Sequence, residues 1–232
     1  MSTNEYVFAR GLRDTRATVE AWQLGRWSVL GGWAALSLAI AVTLLAATWV
    51  VSTLVVPDIS PVALHGVNRP TEFSTFLHII ERNAVVLAFH ATACVAGFIA
   101  GASMPVAAQS KTGFSRWIHV KMGEFAITYV IGVTLFSLGV QAFILGFQAA
   151  AIAAYLHVSN LALVLSAAPQ ALIELTALFL PLAAWLIASR RGHWDQLLAA
   201  TFVTVAVAVP TLLLSVSIEV FVFPKLIHAA VS

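Results

Sequence analysis

The chain has 232 residues, 60 % of them hydrophobic and only 9 % charged, against roughly 25 % charged in soluble domains. A soluble globule of this length covers itself with polar side chains, and 12 basic plus 10 acidic residues do not suffice, so the bilayer is the solvent for most of the chain. A net charge of only +2 also excludes a nucleic-acid binder, and a single cysteine, Cys94, excludes an intrachain disulfide framework or thiolate metal cluster.

Seven charges (Glu5, Arg10, Arg13, Asp14, Arg16, Glu20 and Arg26) fall in the first 26 residues. Residues 1–26 are therefore expected to form a cytoplasmic or interfacial amino-terminal segment, ahead of a transmembrane domain over residues 27–232. Residues 15–26 have the pattern of a helix lying on the membrane surface, with Val19 and Trp22 toward lipid. The apolar run that follows is about twice as long as a secretory h-region, so it is expected to be a retained membrane helix.

In hydrocarbon every backbone polar group must be satisfied internally, so each apolar stretch of about 20 residues reads as a spanning helix. Thirty-one uncharged residues separate Arg26 from Asp58 and hold the first span. The longest polar connection follows, over residues 57–83, and within it residues 73–80 have the spacing of a short amphipathic helix at the interface. The second span covers residues 84–104 and ends before Pro105.

The next uncharged stretch, residues 125–173, holds 49 residues. As one helix it would reach about 74 Å, more than twice the hydrocarbon thickness. It has to turn back, and the least apolar place is His157-Val158-Ser159-Asn160. This predicts a third span over residues 125–156 and a fourth over 161–189. The third is either one tilted helix, a helix broken near Gly146, or a span with a re-entrant piece. Residues 196–224 make the fifth. The expected architecture is thus an all-α polytopic membrane bundle of about five transmembrane helices.

Orientation follows from Lys and Arg, which concentrate on cytoplasmic flanks. Arg10, Arg13, Arg16, Arg26, Lys111, Arg116, Lys121, Arg190 and Arg191 fall on one side of the predicted spans, and Arg69, Arg82 and Lys225 on the other. Nine against three places the amino terminus in the cytoplasm. Trp27, Trp117, Trp185 and Trp194 are expected at the inner boundary and Trp49 toward the outer one.

A charge inside a span costs about 2.5–3.5 kcal/mol on insertion scales, so each such charge is a candidate functional group. Glu174, near the midpoint of the fourth span, and Glu219, toward the outer end of the fifth, both qualify. Each handles an ion, a proton or a substrate contact, or else makes an interhelical hydrogen bond that holds the bundle together. Asn83 and His90 share one face of the second span, and Gln141 and Gln148 share one face of the third. All four are positioned to form a polar strip toward Glu174. Gly97 and Gly101 form a GxxxG that serves either packing within the monomer or association of two copies. The sequence contains no HExxH, GxSxG or Walker A motif and no pair of intramembrane aspartates. No enzyme activity, metal or cofactor is therefore expected, and any ATP use would come from a partner.

The order of unusual residues resembles the stage II sporulation protein M family of integral membrane proteins. It runs from Asn83 after an aromatic interfacial segment, through Gln141-Ala142-Phe143-Ile144-Leu145-Gly146 and Pro169-Gln170-Ala171-Leu172-Ile173-Glu174, to Ile218-Glu219-Val220-Phe221 and Pro224. The resemblance covers roughly residues 27–226. In the family the fourth element reads proline, histidine, glycine, two variable residues and glutamate. Pro169 and Glu174 match this pattern, while Gln170 and Ala171 replace the histidine and glycine. Arg82 stands where the family often has a first asparagine, and Gln141 where an asparagine is common. Gln170 can neither act as a base nor bind a metal as histidine does. The element then implies a structural or gating kink beside Glu174.

The resemblance implies a non-enzymatic scaffold for cell-wall remodelling or other partners in the cytoplasmic membrane of a prokaryote. Its partners would use residues 57–83 outside and a basic inner loop over residues 109–123. The alternative is a permease, or the transmembrane subunit of an ATPase-driven exporter, with Glu174, Asn83, His90 and Gln141 lining a polar pathway.

Overall fold

With no water available inside a bilayer, the backbone satisfies itself through i→i−4 hydrogen bonds, and the long apolar runs fold as helices. The computed structural model describes residues 15–22, 26–59, 73–109 and 111–222. All regular structure among them is helical: α1 (residues 15–22), α2 (Arg26–Leu54), α3 (Phe73–Phe98), α4 (Met104–Gln109), α5 (Gly113–Leu156), α6 (Asn160–Arg191) and α7 (Leu197–Ser217). A π-helical turn, Ile99–Ser103, joins α3 to α4, and a second one, Ile218–Val222, follows α7. Five stretches are long and apolar enough to cross a membrane: Ser28–Leu54, Phe73–Gln109, Ile127–Leu156, Asn160–Arg191 and Trp194–Phe221. The protein is an all-α polytopic membrane bundle.

The turn predicted at residues 157–160 is present, and local chemistry explains it. His157 takes the left-handed conformation (φ 56°) and ends α5, and the Val158 N–H donates to the Ala153 carbonyl at 3.0 Å. Ser159 then caps α6 by accepting from the Ala162 N–H at 3.1 Å. At the other end of α6, Gly192 adopts φ 70° and the His193 N–H reaches the Ala188 carbonyl at 2.9 Å. The spans alternate in direction, so the start of α2, the end of α4, the start of α5 and the end of α6 meet at one face of the bundle. Lys111, Arg116, Lys121, Arg190 and Arg191 cluster there, and this is called the basic end below.

The central helix is α6, which packs against α2, α3 and α7. Every residue from Ala177 to Trp185 is buried, as expected of a helix apolar on all sides. Glycines set the closest approaches. A Cβ at Gly97 would lie 2.6 Å from Trp185 Nε1 and 2.8 Å from Leu197 Cδ1, and one at Gly101 would land inside the Trp194 side chain. The GxxxG of the second span therefore serves packing within the monomer. A Cβ at Gly146 would lie 2.6 Å from the Val51 side chain and 2.9 Å from the Thr48 carbonyl, which fixes α5 against α2. Elsewhere α5 exposes Tyr129, Leu135, Phe136 and Phe143 at the bundle surface.

Several expectations are corrected. Residues 73–80 are not a separate surface helix. They open α3, because Glu81-Arg82-Asn83 contains no helix breaker, and Phe76 packs on Phe221 in a tilted pair with ring centroids 5.6 Å apart. Of the alternatives for the third span, the single helix holds, running unbroken through Gly146. Arg116 and Lys121 lie on the helical extension of α5 beyond the apolar span and not in a loop. Trp22 packs edge-on against Trp33, with centroids 5.2 Å apart, and does not face lipid. Trp185, expected at the interface, is buried in the core at 2 % exposure. Most of the outer connection (residues 60–72), together with Arg69, Pro224 and Lys225, lies outside the described residues.

Candidate polar intramembrane site

Three helices converge on Glu174. It sits near the midpoint of α6, half-buried, and its Oε1 accepts a hydrogen bond from Asn83 Nδ2 of α3 at 2.5 Å. Arg82, the residue before Asn83, lies within electrostatic range of the same carboxylate. Glu219 also interacts electrostatically with Glu174, from the π-helical turn after α7. Two carboxylates thus lie within electrostatic range of each other, and one guanidinium lies within range of Glu174. The polar groups meet here because an unsatisfied one in hydrocarbon costs several kcal/mol.

One turn before Glu174, Gln170 ties α6 to α7. Its Nε2 donates to the Ser215 carbonyl at 2.8 Å and to the Ser215 hydroxyl at 2.5 Å. π-type bonding from Ile218 onward shifts the backbone ladder by one residue, and Gln170 supplies a donor where that shift begins. Pro169 does not break α6, which runs continuously past it and past Pro181. Beside Glu174, then, α6 is continuous, and Gln170 forms a hydrogen-bonded clamp from it to α7.

Not every expected residue belongs to the site. His90 is fully buried, but its ring lies edge-on to Phe179 with centroids 5.3 Å apart. The Val86 carbonyl faces it outside hydrogen-bonding geometry, and neither ring nitrogen has a partner among the described residues. Gln141 donates to Ser137 Oγ on its own helix at 3.2 Å, and α5 packs chiefly on α2. Of the polar strip predicted from Asn83, His90, Gln141 and Gln148, Asn83 is the member hydrogen-bonded to Glu174. Among the described residues no group of three or more His, Cys, Asp or Glu side chains is placed to hold a metal.

Sequence reasoning missed Arg82 and Ser215. A signal existed for both, since Arg82 adjoins Asn83 and Ser215 precedes Glu219 by four residues, on the same helix face. Two further ties escaped it. Ser37 Oγ donates to the Thr176 carbonyl at 2.5 Å, and Asn160 Nδ2 donates to the Ser52 carbonyl at 2.8 Å, both joining α2 to α6. Chemically the site can hold four helices in register and can keep two carboxylates and a guanidinium close together within the bilayer.

No family model, curated protein or solved structure matches the chain.

Proposed function

We propose that the protein is a non-enzymatic, multi-spanning scaffold in the cytoplasmic membrane of a prokaryote, with its amino terminus in the cytoplasm. In this role it positions partners of an envelope complex, as stage II sporulation protein M does. The supporting observation is that Asn83 is hydrogen-bonded to Glu174 between α3 and α6, and Gln170 to Ser215 between α6 and α7. Residues that would line a pathway are used to fix helices, which is what a rigid platform requires. Partners would bind the basic prolongation of α5, where Phe114 and Trp117 stack with centroids 5.7 Å apart beside Arg116, and the outer connection. A photo-crosslinking residue at position 117 in cells should capture a defined envelope protein. Recovery of the protein alone, from crosslinked cells and from mild detergent, would refute the scaffold.

A permease, or the membrane subunit of an exporter driven by a separate ATPase, is the second reading. Two carboxylates within electrostatic range of each other inside the spans, Glu174 and Glu219, favour it. Flux in reconstituted vesicles that is abolished by Glu174→Gln would support it, and flux unchanged by that substitution would remove Glu174 from any pathway.

A further inference from the structure

Three of the apolar stretches, Ser28–Leu54, Asn160–Arg191 and Trp194–Phe221, have one end at the basic end of the bundle, and a single cup of about 300 Å³ lies between those ends. Trp22 of α1 and Trp33 of α2, which pack edge-on, both line it and give it an apolar wall. Gly32 lines it too, and a Cβ added there would meet nothing within 4 Å. The remaining wall is polar: Arg191 at the end of α6, with His193 and Gln196 in the turn that leads to α7. Arg191 is exposed and has no ion-pair partner among the described residues. Asp195, on the same turn, is not part of the lining, so among the described residues the cup carries a positive charge and no carboxylate.

We infer that this cup binds the phosphodiester headgroup of one anionic phospholipid, with the phosphate on Arg191 and the acyl chains outside the cup, in the surrounding bilayer. Charge is the first argument. A guanidinium free of carboxylates suits a phosphate, to which it can donate two parallel hydrogen bonds, and the Gln196 amide and His193 ring add further hydrogen-bonding groups. Depth is the second, because the cup lies where spans end, the level at which headgroups and amphipathic indoles both sit. Basic pockets between spans at one membrane face are recurrent sites for anionic headgroups. Size is the third. At roughly 30 Å³ for each water-sized group the cup holds about ten non-hydrogen atoms, which is the size of a phosphoglycerol headgroup. An inorganic phosphate would fill about half of that space and leave the indole wall uncovered, whereas a phospholipid brings glycerol carbons against it.

The test is native mass spectrometry of the full chain in mild detergent, titrated separately with dioleoyl phosphatidylglycerol, dioleoyl phosphatidylcholine, glycerol phosphate and inorganic phosphate. One phosphatidylglycerol should bind per chain, more tightly than each of the other three. Arg191→Gln should weaken it about fivefold, while Arg116→Gln, the same charge change on the outlying start of α5, should not. Gly32→Leu places a side chain in the cup without a clash and should weaken phosphatidylglycerol as well. Thermal unfolding in detergent establishes that each variant is folded, and the comparison of ligands on the wild-type chain stands without them. Equal binding of the two lipids, or equal losses from Arg191→Gln and Arg116→Gln, would overturn the inference in favour of unspecific attraction. Glycerol phosphate or inorganic phosphate bound as tightly as the lipid would overturn it in favour of a soluble anion, and folded Arg191→Gln or Gly32→Leu protein that binds like wild type would remove the cup as the site.

Discussion

Asn83 and Glu174, 91 positions apart in sequence, share a 2.5 Å hydrogen bond between α3 and α6. The bond closes the only charged position near the middle of the central helix. Interhelical polar pairs in membranes contribute about 0.6 kcal/mol on average and up to about 1.7. Asn83→Ala leaves Glu174 without its donor and should destabilise the bundle by about 1–3 kcal/mol. Glu174→Gln keeps an acceptor oxygen in place and should cost less. Thermal unfolding in detergent of both single variants and of the double variant checks this, and additive losses would show that the pair is not coupled.

Gly97 leaves no room for a side chain beneath Trp185, whereas nothing lies within 4 Å of a Cβ added at Gly139. Gly97→Val should therefore lower stability by about 1–3 kcal/mol through overpacking. Gly139→Ala should be neutral or stabilising, by up to about 1 kcal/mol, through helix propensity. The order of the two unfolding temperatures is the measurement, and Gly146→Val should fall with Gly97→Val.

Cys94 is fully buried and its thiol donates to the Pro181 carbonyl at 3.1 Å. A membrane-impermeant maleimide should leave the native chain unlabelled until it is unfolded. In a Cys94→Ala background, Val158→Cys should be labelled from outside intact cells and Thr112→Cys only after the membrane is opened. Labelling of both from the same side would contradict the alternating spans.

Trp22 joins α1 to the core through an edge-on contact with Trp33, an arrangement worth about 0.5–1.5 kcal/mol beyond area burial. Trp22→Ala should release α1, so that limited trypsin treatment cleaves at Arg16 faster than in wild type while the five spans remain protected. Equal cleavage rates would mean that α1 is held by other contacts.

What the sequence makes legible is the pattern along the chain, and what it hides is the rotation of each helix. The turn at His157 could be placed because polar residues interrupt a run too long for one span. The partnership of Glu174 with Asn83 was accessible for a related reason, since costly groups in hydrocarbon seek each other. His90 and Gln141 were misassigned because their spans are apolar on nearly all sides, so no periodicity marks the inward face. Trp22 and Trp185 were placed at lipid by residue type, which ignores that a glycine such as Gly97 can open a slot for an indole. The continuation of α3 through Glu81 and Arg82 was missed because charge was taken to end a span, although neither residue disfavours a helix.

The two ties between α2 and α6 bear on how the protein assembles. Ser37 meets Thr176 across 139 positions, and Asn160 meets Ser52 across 108. During synthesis at roughly 5–20 residues per second, α2 enters the bilayer on the order of ten seconds before its main partner exists. In that interval Ser37 and Ser52 have only their own helix to bond to, as Ser52 still does through the Trp49 carbonyl at 2.7 Å. The first span thus docks late, when the central helix arrives to accept the Ser37 hydroxyl and to reach the Ser52 carbonyl, and α7 follows to close the bundle against α3 and α6.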